Sequence, residues 1–262
     1  MATDRPLALI TGASSGIGAE LALCAAADGY DLALVARRIP ALTAVAARCE
    51  RAHGVKTHVI AADLGDPTAS RVLAAELRAR RLDVHTLVNN AGLGASGQVA
   101  DLALDRQMSI IQVNIAALTE LTRRLLPAML ARGDGAILNV ASTAAFLPGP
   151  GMAVYYASKA YVLSFTDALG EELRDSGVRV SALCPGPTAT EFGDVSGMSK
   201  AKIMTQQQLV MRADVVAKLG WDGLVRGDRV VVAGLRNRLL VQALRAAPRA
   251  IAARISARLN AS

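Results

Sequence analysis

The chain has 262 residues, which is enough for one sizeable α/β domain but cramped for two independent ones. Hydrophobic residues make up 52% of it and charged residues 19%, a balance that excludes an intrinsically disordered chain. Most of the net charge of +7 belongs to residues 235–262, which hold six arginines and no acidic residue. These arginines lack interleaved aromatic residues, so nucleic-acid binding is not expected.

The sequence contains neither a secretory signal pattern nor an unbroken apolar run of about 18 residues. Its three cysteines, Cys24, Cys49 and Cys184, are scattered and lack the spacing of metal ligands. We therefore expect a cytoplasmic protein with reduced thiols and no metal site.

Short runs rich in leucine and β-branched residues alternate with longer alanine-rich segments. The predicted strands span residues 7–11, 31–36, 55–61, 84–89, 135–141, 178–184 and 229–233. Crossover helices are predicted between them, for example over 17–28, 40–53 and 67–81. This alternation predicts an α/β protein with a single doubly wound Rossmann domain, in which a mostly parallel seven-stranded sheet carries helices on both faces.

We expect this domain, which would bind a dinucleotide and carry the catalytic site, to cover residues 1–234. The segment at about 186–212 interrupts the alternation and is too long for an ordinary connection. It follows the sixth predicted strand, and ligands bind at the carboxyl ends of parallel strands, so we expect it to be a lid. Residues 235–262 are predicted to form a basic helical extension.

A glycine-rich turn follows the first predicted strand. Residues 11–18 read TGASSGIG and open into a helix. Glycines allow the backbone to turn sharply and to approach a pyrophosphate at the positive end of that helix. The spacing G-x-x-x-G-x-G differs from the common dinucleotide fingerprint, so the turn alone is also compatible with a structural role or another phosphate site.

Further motifs follow the turn in order: Asp63–Leu64, Asn89–Asn90–Ala91–Gly92, Asn114, Ser142, Tyr155-x-x-x-Lys159 and Pro185–Gly186. Together with the turn, this series resembles the short-chain dehydrogenase/reductase family over about residues 7–234. The resemblance implies hydride transfer between a nicotinamide cofactor and a carbonyl or secondary alcohol. The cofactor contacts that it implies are Gly12, Ser14, Ser15, Gly16, Ile17, Gly18, Asp63, Leu64, Asn90, Ala91, Gly92, Tyr155, Lys159, Pro185, Gly186, Thr188 and Thr190.

The end of the second predicted strand indicates which nicotinamide cofactor is used. NAD sites need an acid there for the adenosine ribose, but Ala36 occupies the position and Asp31 lies at the opposite end of the strand. Arg37 and Arg38 follow, and a guanidinium pairs with a 2′-phosphate. These residues predict NADP(H), with Arg37 as the main contact, unless both arginines merely decorate a surface turn.

Tyr155 and Lys159 are four residues apart in a predicted helix, so their side chains share one face. An adjacent ammonium, together with the positive charge of an oxidised nicotinamide, would lower the pKa of the phenol. This spacing is common by accident, and Tyr156 also lies within reach of Lys159. The family pattern Y-x-x-x-K selects Tyr155.

The resemblance implies a catalytic set of Asn114, Ser142, Tyr155 and Lys159. Ser142 would orient the carbonyl, Tyr155 would act as general acid/base, and Lys159 would hold the nicotinamide ribose. Asn114, by its side chain or backbone, would help to hold a water that relays protons through Lys159. A buried Asn in a helix could equally be a satisfied polar group that bends it.

The expected substrate is a small, moderately apolar carbonyl or alcohol, because the predicted pocket walls contribute mainly Phe146, Leu147, Met152, Phe192, Met198 and Met204. A homodimer or higher homo-oligomer is expected. In the extension, Pro248 is placed to start a helix on which Ile251, Ile255 and Leu259 form a stripe. Packing of this stripe on the body or a second subunit is favoured over contact with an anionic membrane surface.

Two other functions compete with an enzyme of this kind. A cofactor-binding protein of the same family type could have a regulatory or membrane-surface role, although all four catalytic positions are intact. A sugar-nucleotide epimerase of the related extended type would usually need a larger C-terminal substrate domain than this chain offers.

Overall fold

The structure is a computed structural model that describes residues 5–197, 210–246 and 248–260. Its strands, in chain order, are β1 Leu7–Thr11, β2 Asp31–Ala36, β3 Thr57–Ala61, β4 Val84–Asn89, β5 Gly135–Val140, β6 Val178–Cys184, β7 Thr188–Ala189, β8 Met211–Arg212 and β9 Val230–Val232. Seven of them form a parallel sheet in the order β3-β2-β1-β4-β5-β6-β9. The predicted α/β class and seven-stranded sheet are thereby confirmed.

The helices of the described residues are α1 Gly16–Ala27, α2 Ile39–His53, α3 Ala69–Ala79, α4 Leu104–Ile111, α5 Leu118–Arg132, α6 Ala153–Glu172, α7 Phe192–Ser196, α8 Ala213–Arg226, α9 Leu235–Ala246 and α10 Arg249–Asn260. A π-helical segment, Gln112–Ala117, joins α4 to α5, and a 3₁₀ turn, Thr143–Phe146, follows β5. None of the helices in these ranges is long and apolar enough to cross a membrane.

Two apolar cores lie on opposite faces of the sheet because successive strand residues point to opposite sides. Ile10 belongs to the core that contains residues of α1, α2 and α8. Leu9, its neighbour in the chain, belongs to the core that contains residues of α3, α5 and α6. Both strand residues are fully buried, which explains the continuous apolar run that β1 shows in the sequence.

The strand order reverses between β1 and β4, which lie side by side in the middle of the sheet. β2 and β3 extend from β1 on one side, and β5, β6 and β9 extend from β4 on the other. Connections that leave this pair in opposite directions open a crevice at the carboxyl ends of the strands. The fold therefore places the turn after β1 beside the loop after β4.

Part of the predicted lid lies within the described residues. β7 pairs in parallel with β8, and α7 lies between them in the chain. Residues 198–209, which include Met198 and Met204, lie outside the described residues. α10 begins directly after Pro248, whose carbonyl accepts hydrogen bonds from the amides of Ile251 and Ala252, as the position of this proline predicted.

Candidate active site

The turn after β1 requires glycine at two positions, one with a left-handed backbone conformation and one where other atoms leave no room for a side chain. Gly12 has a φ of +66°, a left-handed conformation that favours glycine. A Cβ on Gly18 would lie 2.3 Å from the Gly12 carbonyl oxygen and 2.4 Å from Nδ2 of Asn90. No side chain fits there, so the backbone leaves an open cradle at the N-terminus of α1, where backbone amides favour an anion.

Asn90 and Thr11 fasten this turn to the end of β4. The Asn90 amide group donates to the carbonyls of Thr11 and Gly12 at 2.9 and 3.1 Å. The Thr11 hydroxyl donates to the Val88 carbonyl at 3.2 Å and accepts from the backbone amides of Asn90 and Ala91 at 3.0 Å. Asn90 thus has a structural role as well as a position on the cavity wall.

Asn89, the residue before it, points into the protein interior. Its amide donates to the Thr122 hydroxyl at 3.1 Å and to the Asn139 carbonyl oxygen at 2.9 Å. Asn139 donates in turn to the Thr166 hydroxyl at 2.9 Å. This buried network links β4 and β5 with α5 and α6 beneath the site, so Asn89 supports the fold.

A cavity of about 520 Å³ runs along the carboxyl ends of the strands, a size typical of small-molecule sites. Ser142 lines it, and so do all the cofactor residues expected from the sequence. These are Gly12, Ser14, Ser15, Gly16, Ile17, Gly18, Arg37, Arg38, Asp63, Leu64, Asn90, Ala91, Gly92, Tyr155, Lys159, Pro185, Gly186, Thr188 and Thr190. With the glycine cradle at one end, these residues fit a nicotinamide dinucleotide.

Arg38 lies over the glycine turn. Its guanidinium donates to the hydroxyls of Ser14 and Ser15 at 3.4 and 3.2 Å, and to the Glu191 carboxylate at 2.6 Å. The Ser15 hydroxyl donates to the same carboxylate at 3.0 Å. These bonds to Arg38 and Ser15 lower the pKa of Glu191. The sequence placed Glu191 within the predicted lid but did not indicate its pairing with this turn, from which it is more than 150 residues away.

Tyr155, Lys159 and Ser142 meet at the other end of the cavity. Nζ of Lys159 lies 5.9 Å from the centre of the Tyr155 ring and donates to the Val140 carbonyl at 2.7 Å. Both side chains are buried, Lys159 being 5% exposed and Tyr155 8%. Ser142 follows the end of β5, where its hydroxyl accepts from the Ala144 amide at 3.1 Å.

Burial dominates the proton equilibria of this group. It raises the pKa of Tyr155 to about 12, while a hydrogen bond with Ser142 acts in the opposite direction. Burial also lowers the pKa of Lys159 from 10.5 to about 8. The net shift of the Tyr155 pKa within the protein is therefore upward, because burial outweighs the hydrogen bond with Ser142, whereas the sequence predicted a lowering in the presence of Lys159 and an oxidised nicotinamide.

Asn114 lies in the π-helical segment behind the cavity wall, not on the wall itself. Its side chain exchanges hydrogen bonds with the backbone of Leu93, at 2.8 and 2.9 Å, and donates to the Ser158 hydroxyl at 2.9 Å. Ser158 donates to the Tyr155 carbonyl at 2.7 Å. The Asn114 side chain is thus satisfied by protein groups, and it ties the loop after β4 to the helix that carries Tyr155.

The end of the cavity near Tyr155 is apolar. Ala144, Met152, Tyr155 and Tyr156 form a buried cluster on which Leu147 and Phe192 pack. Of the predicted walls, Leu147 and Phe192 line the cavity, whereas Phe146 lines a second cavity beside β9.

The C-terminal helices also reach this end. Leu240, Val241 and Leu259 line the cavity, and Asn260 accepts a hydrogen bond from the Tyr156 hydroxyl at 2.9 Å. The favoured expectation was packing of the stripe on the body or on a second subunit. Leu259 lines the cavity of the body, whereas Ile251 and Ile255 are exposed in the single chain, so their packing on a second subunit stays a prediction. Ala252 and Ser256 are buried instead. Contact of the outer face with an anionic membrane surface remains the less favoured alternative.

Comparisons with known proteins agree with this geometry. A family model described as short chain dehydrogenase matches residues 6–199. Sulfoacetaldehyde reductase 2 of Chromohalobacter salexigens is 40% identical over 188 residues, which cover 71% of this chain and 74% of that protein. Three further curated relatives are longer, and the matches cover 63%, 64% and 60% of their lengths.

Solved structures are similar over nearly the whole chain. A short-chain dehydrogenase from Sphingobium yanoikuyae in complex with NADPH has a TM-score of 0.83 and 36% identity, covering 91% of this chain and 92% of that one. A short chain dehydrogenase/reductase from Burkholderia phymatum in complex with NAD has a TM-score of 0.80 and 28% identity, covering 92% and 93%. Similar folds thus accompany both nicotinamide dinucleotides.

Proposed function

Because the chain belongs to the short-chain dehydrogenase/reductase family, we propose that it is an NADP(H)-dependent oxidoreductase that interconverts a carbonyl and a secondary alcohol. Tyr155 is its general acid/base. The observation that carries the proposal is the meeting of Ser142, Tyr155 and Lys159 in one cavity whose other end is a glycine cradle at the N-terminus of a helix.

The chain's own residues manage the proton and the substrate oxygen. A bound NADPH supplies the hydride. The Ser142 hydroxyl donates a hydrogen bond to the carbonyl oxygen, and the Tyr155 hydroxyl gives its proton to the same oxygen as it becomes an alkoxide. Because burial raises the pKa of Tyr155 to about 12, this side chain is a phenol at neutral pH, the form that reduction requires.

Lys159 and Asn114 support this step. Lys159 lies beside the Tyr155 ring, where its ammonium holds the nicotinamide ribose and stabilises the phenolate left after proton transfer. The Asn114 side chain is fully engaged with Leu93 and Ser158, so any water that it helps to hold is bound through its backbone. Asn114 then also acts as a positioning residue for the helix of Tyr155.

The preference for NADP(H) rests on the end of β2. Ala36 leaves that position without a carboxylate that would repel a 2′-phosphate, and Arg37 and Arg38 follow it on the cavity wall. Arg37 remains our main candidate for the phosphate contact. Arg38 lies against Ser14 and Ser15 of the turn, and its Nη2 also bonds the Glu191 carboxylate. We propose that its other guanidinium nitrogens contribute to the phosphate contact as well.

Initial rates with NADPH and NADH across a panel of ketones and aldehydes test the cofactor assignment. We expect a kcat/KM for NADPH at least ten-fold above that for NADH, and loss of most of this preference in Arg37→Ala. Equal efficiency with the two cofactors, or a preference for NADH, would contradict the assignment.

The role of Tyr155 is tested by Tyr155→Phe, which removes only the hydroxyl. A general acid contributes about 10²- to 10⁴-fold, so we expect kcat to fall by at least about 100-fold. Tyr161→Phe is the matched control, because Tyr161 lies on the same helix, is exposed and bonds Thr119 on the surface. Near-wild-type turnover of Tyr155→Phe would refute the assignment.

The substrate class and assembly follow from the surroundings of the site. The apolar lining that Leu147, Tyr156 and Phe192 give to this end of the cavity favours a small, moderately apolar carbonyl or alcohol. Exposed Leu104 and Met108 on α4, which leads into the Asn114 segment, favour a homodimer through the helices that contain Asn114 and Tyr155. Size-exclusion chromatography with light scattering tests this assembly, and a monomer at micromolar concentration would contradict it.

A further inference from the structure

The last helix is fixed to the substrate end of the cavity by two directional bonds. The Asn260 side chain, 9% exposed, accepts from the Tyr156 hydroxyl at 2.9 Å and donates to the Pro150 carbonyl at 3.0 Å. Its partners are 104 and 110 residues away in the chain. Because buried amide and hydroxyl groups are costly to leave unpaired, these bonds define where α10 lies.

Tyr156 is itself held firmly. A Cβ on Gly149 would lie 2.1 Å from its ring, so the loop before α6 passes directly against the aromatic face. On another side the ring meets Tyr155 edge to face, with 6.0 Å between centroids. The bond from Tyr156 to Asn260 therefore anchors the C-terminus of α10 one residue away from the tyrosine that we assign to proton transfer.

Leu259, next to Asn260, lines the cavity. Leu240 and Val241 of α9 line it as well, and α9 is seated against the turn after β6, where a Cβ on Gly186 would lie 2.4 Å from the Asn237 amide. Both C-terminal helices thus contribute apolar side chains to the same cavity as Tyr155 and Ser142.

We propose that the C-terminal extension is the outer wall of the substrate pocket and that Leu259 limits the size of the apolar substituent on the carbonyl. This inference rests on the proposed function for its substrate class. A leucine in a pocket bounded by Tyr156, Leu147 and Phe192 excludes by volume, because packed side chains cannot yield without losing contacts. Shortening it opens space for a longer substituent.

Exposed residues earlier in α10 provide matched controls. Ile251 and Ile255 are 48% and 37% exposed and neither lines the cavity, although both belong to the same helix as Leu259. Leu259→Ala and Ile255→Ala remove a comparable aliphatic volume from α10, but only the first change enlarges the pocket.

The test compares kcat and KM of the full chain, of Leu259→Ala and of Ile255→Ala with NADPH and methyl ketones of increasing chain length. We expect Leu259→Ala to raise kcat/KM for the longest ketones by about 10-fold, a typical effect of a few methylene groups in an apolar pocket, and to change the shortest by less than about two-fold. Ile255→Ala should keep the wild-type profile. The same chain-length profile in all three proteins would overturn the proposal.

A second measurement separates this inference from the proposed function. Hydrogen–deuterium exchange of α10 amides in the wild-type chain saturated with NADP⁺ should slow further when a short methyl ketone that fits the pocket is added, since a wall of the pocket is ordered by its ligand. Unchanged exchange would overturn the pocket-wall assignment. If exchange slows while no ketone is turned over with either cofactor, the proposed reaction is wrong and the assignment of α10 to the pocket wall is supported.

Discussion

Lys159 gives the sharpest test of the proposed site, because the proposed mechanism needs a charged ammonium at a position that is almost fully buried. Its side chain is 5% exposed and keeps one hydrogen bond, to the Val140 carbonyl. We consider Lys159→Met, which retains an apolar side chain of similar length and removes the charge. The variant should lose activity, since in the proposed mechanism the phenolate of Tyr155 and the nicotinamide ribose lose their cation. Its free energy of unfolding at neutral pH should nevertheless lack the cost of burying an ammonium.

The magnitude follows from the pKa. Burial lowers the pKa of Lys159 from 10.5 to about 8, whereas the unfolded chain keeps the ordinary value. Between about pH 8 and pH 10.5 the unfolded chain therefore holds a proton that the folded protein has released, so wild-type stability rises with pH across this window. At about 1.4 kcal/mol per pKa unit, the rise reaches about 3 kcal/mol.

Urea unfolding of both proteins, followed by circular dichroism from pH 7 to pH 10.5, measures this effect. The stability of Lys159→Met relative to wild type should be about 3 kcal/mol smaller at pH 10.5 than at pH 7. All other titrating groups are common to both proteins and cancel in the difference. Lys218→Met is the control, because Lys218 is exposed and Asp222 raises its pKa, so any pH effect is small and of opposite sign. If the difference in unfolding free energy between wild type and Lys159→Met stays constant with pH, the lowered pKa of Lys159 is refuted.

Three further predictions concern the cradle, the buried network and the thiols. Gly18→Ala should weaken NADPH binding at least ten-fold in a fluorescence titration, because the added Cβ would lie 2.3 Å from the Gly12 carbonyl oxygen; unchanged affinity would contradict the cradle. Asn139→Ala should lower the free energy of unfolding by about 2–4 kcal/mol with kcat unchanged, since it leaves one Asn89 amide hydrogen without a partner in the interior and removes the bond that the Thr166 hydroxyl accepts. Burial raises the pKa of the three thiols to about 11 or 12, so none should react readily with a disulfide reagent at pH 8, and rapid labelling, of Cys184 above all, would count against this burial.

The sequence alone was sufficient for the fold class and for most of the cavity. Strand and helix alternation is a local property of the chain, and the parallel order of the sheet follows from it with few alternatives. The glycine turn, Tyr155 and Lys159 are likewise fixed by short spacings, since a turn or one helical turn brings such residues together whatever the rest of the chain does. Arg37 and Arg38 could be recognised in the same way, because they directly follow a predicted strand in the sequence.

Only the tertiary structure brought together residues that no spacing relates. Glu191 bonds Arg38 and Ser15 on the cavity wall. Asn260 bonds Tyr156, from which it is more than 100 residues away in the chain. The burial of Ala252, Ser256 and Asn260 on α10 could not be predicted for the same reason: a helix with apolar residues on several sides does not reveal which side is buried until its partner is known. Similarly, the sequence identifies Tyr155 as a group that can donate a proton. The direction in which its pKa shifts depends on burial, and burial is determined by the packing of the whole domain.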